Sequence, residues 1–198
     1  MRRILAALLL LPPLYGPAAA QSGAGTESAH TTFDIDKCRH TRGQAPEDNG
    51  SWLCAGYAGV PVWLAQGDER MFVSFGRKAA DEPAASETFP GFNDVTKGTI
   101  EWRLARSPNG TAQPFATILR WNVRLNPADD AQPHSPVLVV TRLGPGGVCR
   151  VGYVDARANP DANALARKLA DERARSFKCG VDKPEYVGNR PPAGWRRE

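Results

Sequence analysis

GVCRVGYVDARANPDANALARKLADERARSFKCG, residues 147–180, holds a complete unit of structure between two cysteines. Gly147 to Asp155 reads as a β-strand. Asn159 then suits the N-cap of a helix, Pro160 its first position and Asp161 its first turn, where a carboxylate meets the positive end of the helix dipole. The helix is predicted to run to about Ser176. Ala162, Leu165, Ala166, Leu169 and Phe177 recur at spacings of three and four and form its buried stripe. Asn163, Arg167, Lys168, Asp171 and Arg175 are expected to face water. A strand of about six residues climbs roughly 20 Å and a helix of about 17 residues returns roughly 25 Å, which brings Cys179 back beside Cys149. Gly180 is placed to stop the chain there.

Four cysteines in all, Cys38, Cys54, Cys149 and Cys179, form an even set. Four cysteines allow three pairings. Locality and the strand–helix geometry favour Cys38–Cys54 and Cys149–Cys179. Zinc would want cysteine pairs spaced by two to four residues, and none are present. No C-x-x-C suggests a redox site.

Upstream of this unit the chain alternates in short strands. Ser51 to Gly56, Val60 to Ala65 and Arg70 to Gly76 read as hairpins punctuated by Gly56, Gly59 and Gly67-Asp68. Arg77 to Gly98 breaks the pattern. Alternation resumes with Ile100, Trp102 and Leu104 on one face and Glu101, Arg103 and Ala105 on the other. Phe115 to Leu125, Pro136 to Leu143 and Val148 to Asp155 follow. About seven short strands and one late helix predict an α+β domain, a mostly antiparallel sheet with the C-terminal helix packed on it.

The first twenty residues, MRRILAALLLLPPLYGPAAA, read as a signal peptide, with Arg2 and Arg3 before a short apolar run and an A-x-A site at Ala18-Ala19-Ala20. The run is too short to span a bilayer, and no transmembrane segment is expected. The reading divides the chain into a signal peptide (1–20), a flexible arm (21–32), a single disulfide-stapled domain (33–182) and an irregular tail (183–198). The location is periplasmic or secreted, where disulfides persist.

The 198 residues are 41% hydrophobic, with 19 Gly and 17 Pro, which excludes both a coiled coil and a disordered chain. Losing Arg2 and Arg3 with the leader lowers the net charge from +4 to +2 and removes the support for nucleic-acid binding. No P-loop, dinucleotide fingerprint or G-x-S-x-G elbow is present, so no cofactor and no catalytic residue is assigned.

Three constellations remain. Asp34, Asp36 and His40 lie within seven residues and could serve a hydrolase, with both carboxylates on one face of a strand. Arg103, Arg120 and Arg124, with Asn122 and Arg142, could form a basic sheet face that binds phosphates or carboxylates. Trp52, Tyr57, Trp63, Phe72 and Phe75 gather in the first hairpins, as core or as an exposed platform for glycan or peptide.

Ser51-Trp52-Leu53-Cys54-Ala55-Gly56-Tyr57-Ala58-Gly59, the turn Gly67-Asp68-Glu69-Arg70 leading to Val73-Ser74-Phe75-Gly76, and Gly147-Val148-Cys149 through Phe177-Lys178-Cys179-Gly180 together resemble small exported proteins of alphaproteobacteria. The resemblance covers most of the chain after the leader. It implies export and a single domain, and brings no activity and no site residues.

The expected function is an exported binding or interaction module of the bacterial envelope. Its partner would be an anionic envelope component or another exported protein, not nucleic acid. The alternative is a periplasmic hydrolase using Asp34, Asp36 and His40.

Overall fold

The computed structural model describes residues 25–42, 50–107, 109–124 and 134–189. The proposed signal peptide, the start of the arm and the end of the tail lie outside them. Among the described residues, eleven strands and one α-helix make up the α+β fold: β1 Thr26–Asp34, β2 Arg39–Arg42, β3 Ser51–Cys54, β4 Val62–Gly67, β5 Arg70–Phe75, β6 Asn93–Asp94, β7 Lys97–Arg106, β8 Ala112–Val123, β9 Ser135–Arg142, β10 Cys149–Asp155, α1 Ala162–Arg173 and β11 Glu185–Tyr186.

The strands form two sheets rather than one. The larger runs β1-β7-β8-β9-β10-β11, with β6 paired to the end of β8, and the smaller runs β2-β3-β4-β5. All pairings are antiparallel except β10–β11. Strand alternation gives the large sheet two buried faces. One carries Ile100, Trp102, Leu104, Leu119, Trp121, Val137 and Val139, and meets Val62, Leu64, Val73 and Phe75 of the small sheet. The other carries Ile118, Leu138, Val140 and Val151, and meets Ala162, Ala166, Leu169 and Ala170 of α1. Three layers result, small sheet, large sheet and helix.

Both expected disulfides are formed. Cys38–Cys54 has a Cα separation of 4.6 Å and Cys149–Cys179 one of 5.8 Å. Gly147 is fixed by the second, because its φ is +110° and a Cβ there would sit 3.2 Å from the sulfur of Cys179.

Three expectations change. The segment read as the arm 21–32 is ordered from Thr26, since β1 pairs along its whole length with β7, from Thr26 opposite Ala105 to Asp34 opposite Lys97. Its polar composition suits a strand that is largely open to water. The helix begins at Ala162 with Asp161 in the cap position. Asn159 does not cap it. Its buried amide donates to Asp155 O (2.8 Å) and Asn189 O (2.9 Å), and its Oδ1 accepts from the Asn189 N–H (2.8 Å). The described part of the tail expected to be irregular, residues 183–189, is therefore held through Asn189 and adds β11 to the sheet.

Replacing both Cys149 and Cys179 by Ser is expected to lower the unfolding free energy by about 3.5 kcal/mol. The pair spans 30 residues against 16 for Cys38–Cys54, so it should cost more than the corresponding double Ser variant at the first bridge. Urea unfolding of the two variants checks the order.

Candidate functional site

The small sheet is apolar on both faces. Pairing sets Leu53 opposite Trp63 and Ala65 opposite Phe72, all pointing away from the large sheet. These four side chains remain half-buried. Along one side rises the connection from β5, with turns of 3-10 helix at Ala79–Asp81 and Pro83–Ser86. The result is a groove of about 930 Å³ lined by Leu53, Trp63, Ala65, Thr41, Ser51 and Gln66, with Arg77, Lys78 and Asp81 on its wall. A second hollow of about 370 Å³, bounded by Phe72, Arg70 and Ala85, shares Trp63, Ala65 and Gln66 with it. The Thr41 and Ser51 hydroxyls hydrogen-bond to each other at 2.6 Å. An apolar floor with a few convergent polar groups and a cationic rim is the usual form of a ligand site.

The aromatic constellation divides by strand alternation. Trp52 and Phe75 turn inward and Tyr57 packs on Trp102, while Trp63 and Phe72 turn outward. The sequence carried the signal in Val62-Trp63-Leu64-Ala65, which does not alternate. A strand with apolar side chains on both faces needs a cover on each, or binds something on one.

The arginines predicted to share an open face do not. Arg103 is 6% exposed beneath α1. It makes a bidentate pair with Asp171 (2.9 and 2.6 Å), and its Nη1 donates to the Ser28 hydroxyl. Arg142 is also buried, donating to Ala174 O at the end of α1 (3.1 Å), Gly147 O (3.0 Å) and Pro145 O (3.0 Å). Arg120 is exposed on β8, and Arg124 is half-buried beyond its end, where its N–H donates to Phe92 O (2.8 Å). Only Arg120 keeps the exposure that the basic face required.

The carboxylate–imidazole set is likewise dispersed. Asp36 lies in a 3-10 turn, not on a strand beside Asp34, and Asp34 Oδ1 accepts from its N–H at 3.2 Å. Asp34 also pairs with Lys37 at 3.6 Å. His40 packs against Trp52 with ring centroids 5.2 Å apart and the ring planes tilted by 51°. Among the described residues no hydrogen bond or ion pair joins His40 to either aspartate.

Under α1 the charges form a connected network. Arg167 donates to both oxygens of Glu101 (2.7 and 3.2 Å), Ser28 donates to Glu101, and His30 lies 3.8 Å away. Burial opposes the charge on Glu101, yet the hydrogen bonds from Arg167 and Ser28 and the charges of Arg167 and His30 outweigh it, and the carboxyl sits below its usual range. Comparison with family models, with curated proteins and with solved structures finds no match.

A depressed folded-state pKa stabilises the fold above the unfolded carboxyl value of about 4.3, and the contribution is lost as pH falls through the folded value. Glu101→Gln is expected to lose about 1–3 kcal/mol at pH 7. Its urea midpoint should converge with that of the unaltered protein in acid. Urea titrations at several pH values measure this.

Proposed function

We propose that the protein is an exported binding module that holds an anionic glycan of the bacterial envelope in the groove over Trp63. The observation that carries this reading is the outward pair Trp63 and Phe72 on a sheet whose other face is already filled by the core. The apolar face of a sugar ring stacks on an indole. Gln66, Thr41 and Ser51 offer donors and acceptors for hydroxyls, and Arg77 and Lys78 can meet a carboxylate or phosphate at the rim.

The disulfides support the same reading. Two disulfides suit an oxidising environment, and among the described residues no helix is long and apolar enough to cross a membrane. Placement in the periplasm, or beyond it, is part of the proposal.

Sedimentation of the purified exported protein with isolated peptidoglycan sacculi tests it. Trp63→Ala is expected to weaken binding at least tenfold with an unchanged melting temperature. Arg77→Ala with Lys78→Ala should weaken it less and flatten its salt dependence. Equal sedimentation of Trp63→Ala and the unaltered protein would overturn the assignment.

A further inference from the structure

The two strand orders end in four lateral strands, and three of these are short or blocked. β5 is closed by side chains: Asn93 Oδ1 accepts from the Met71 N–H (2.9 Å) and the Thr88 hydroxyl donates to Met71 O (2.7 Å). β11 has two residues and follows Pro184. β2 has four residues, with a register shift between His40 and Arg42. Bulges, prolines and short lengths are how proteins keep sheet edges from pairing. β1 has none of them. Its nine residues, TESAHTTFD, contain no Pro or Lys and stay in one unbroken register against β7.

The open groups on that edge can be named. Ile35 N donates to Thr96 O at 2.8 Å, continuing the β1–β7 ladder. In an antiparallel pair the bonded positions alternate, so the odd-numbered residues of β1 bond to β7. Thr26, Ser28, His30 and Thr32 turn their N–H and C=O groups away from it, and Ser28, His30 and Thr32 are exposed.

We propose that β1 pairs antiparallel with β1 of a second copy, joining the two large sheets across a two-fold axis at Ala29. In this register Ser28 faces His30, Thr26 faces Thr32 and Glu27 faces Thr31, so no like charges meet. The four pairs of outward residues exchange about eight backbone hydrogen bonds. Moving the axis to His30 would oppose two imidazoles and set Glu27 against the buried Phe33, which disfavours that register. Small side chains at Ser28, Ala29, Thr31 and Thr32 allow the approach. The far edge of each sheet is the two-residue β11, so the assembly closes at two copies. The dimer does not depend on the groove, but it would present two grooves to one polymer.

Charge substitution at Thr32 gives the test. The Thr26 hydroxyl accepts from Arg175 at 3.2 Å, so residue 32 of one copy would lie beside Arg175 of the other. In sedimentation velocity of the exported protein from 1 to 100 µM, the unaltered chain is expected to form a dimer. Thr32→Lys should raise its dissociation constant at least tenfold, and Thr32→Glu should preserve it. Thr32→Pro, which removes an outward N–H that β7 does not use, should give folded monomers. A monomer throughout this range would overturn the proposal. So would a dimer in which Lys, Glu and Pro at position 32 behave alike.

Discussion

The indole of Trp102 is the contact on which the layering depends. It lies at the centre of β7, fully buried, with Phe75 of the small sheet edge-on to it at 5.6 Å and Tyr57 at 6.2 Å. A buried indole N–H needs an acceptor, and Thr31 of β1 supplies it at 2.8 Å. One side chain thus ties the small sheet, the large sheet and the edge strand together. The close approach is built into the chain at Gly56, where a Cβ would come within 2.8 Å of the Trp102 ring. Truncating Trp102 would remove the packing between the sheets and the hydrogen bond to β1 together.

Arginine does the equivalent work on the other contacts. Arg142 satisfies the carbonyl of Ala174 at the C-terminal end of α1, where a cation also complements the dipole. Arg150 is 2% exposed, lies 4.7 Å over Trp121 and 4.9 Å over Phe89, and donates to Glu87 O at 2.7 Å. Arg103 and Arg167 reach Asp171 and Glu101 across the helix–sheet boundary. Arg103, Arg142 and Arg150 are buried, each with a partner or against ring faces, the condition under which interior charge is tolerated, while Arg167 reaches Glu101 from the exposed side of the helix.

This explains what the sequence disclosed and what it withheld. The cysteine pairing was legible because a strand and a helix have fixed rises, so Cys149 and Cys179 had to meet. The strands from 51 to 76 and from 99 to 155 were legible through their alternation. Arg103 was misread because alternation tells which face a residue occupies, not what covers that face. The division into two sheets was hidden for the same reason: Ser51 to Phe75 and Lys97 to Arg106 carry no local mark of whether they are neighbours. β1 was missed because TESAHTTFD lacks an apolar stripe, and only its ladder with β7 makes it a strand. The groove at Trp63 was half legible, present as an aromatic cluster without the alternation that sorts inward from outward.

The groove keeps its form because the segment beside it is pinned from behind. Glu82 accepts from the Val148 N–H at 2.8 Å, Ala84 N donates to Val148 O at 3.0 Å, and Glu87 accepts from the Arg150 N–H at 2.9 Å. These bonds fasten residues 82–87 to the start of β10, so the chain rises beside the small sheet and leaves part of its outer face open. The fastening has a cost. Burial pushes the Glu87 carboxyl above its usual range, with the Arg150 N–H and guanidinium only partly offsetting it. A raised carboxyl favours the folded state below the unfolded pKa and loses that advantage as pH rises through the folded value. Glu87 therefore opposes Glu101 in its pH dependence, and the wall of the groove is held by a group that would bind its proton more readily than the network under the helix. The same partial burial shields the hydrogen bonds of Glu87 to β10, although 30% of its side chain stays exposed, and so strengthens the wall.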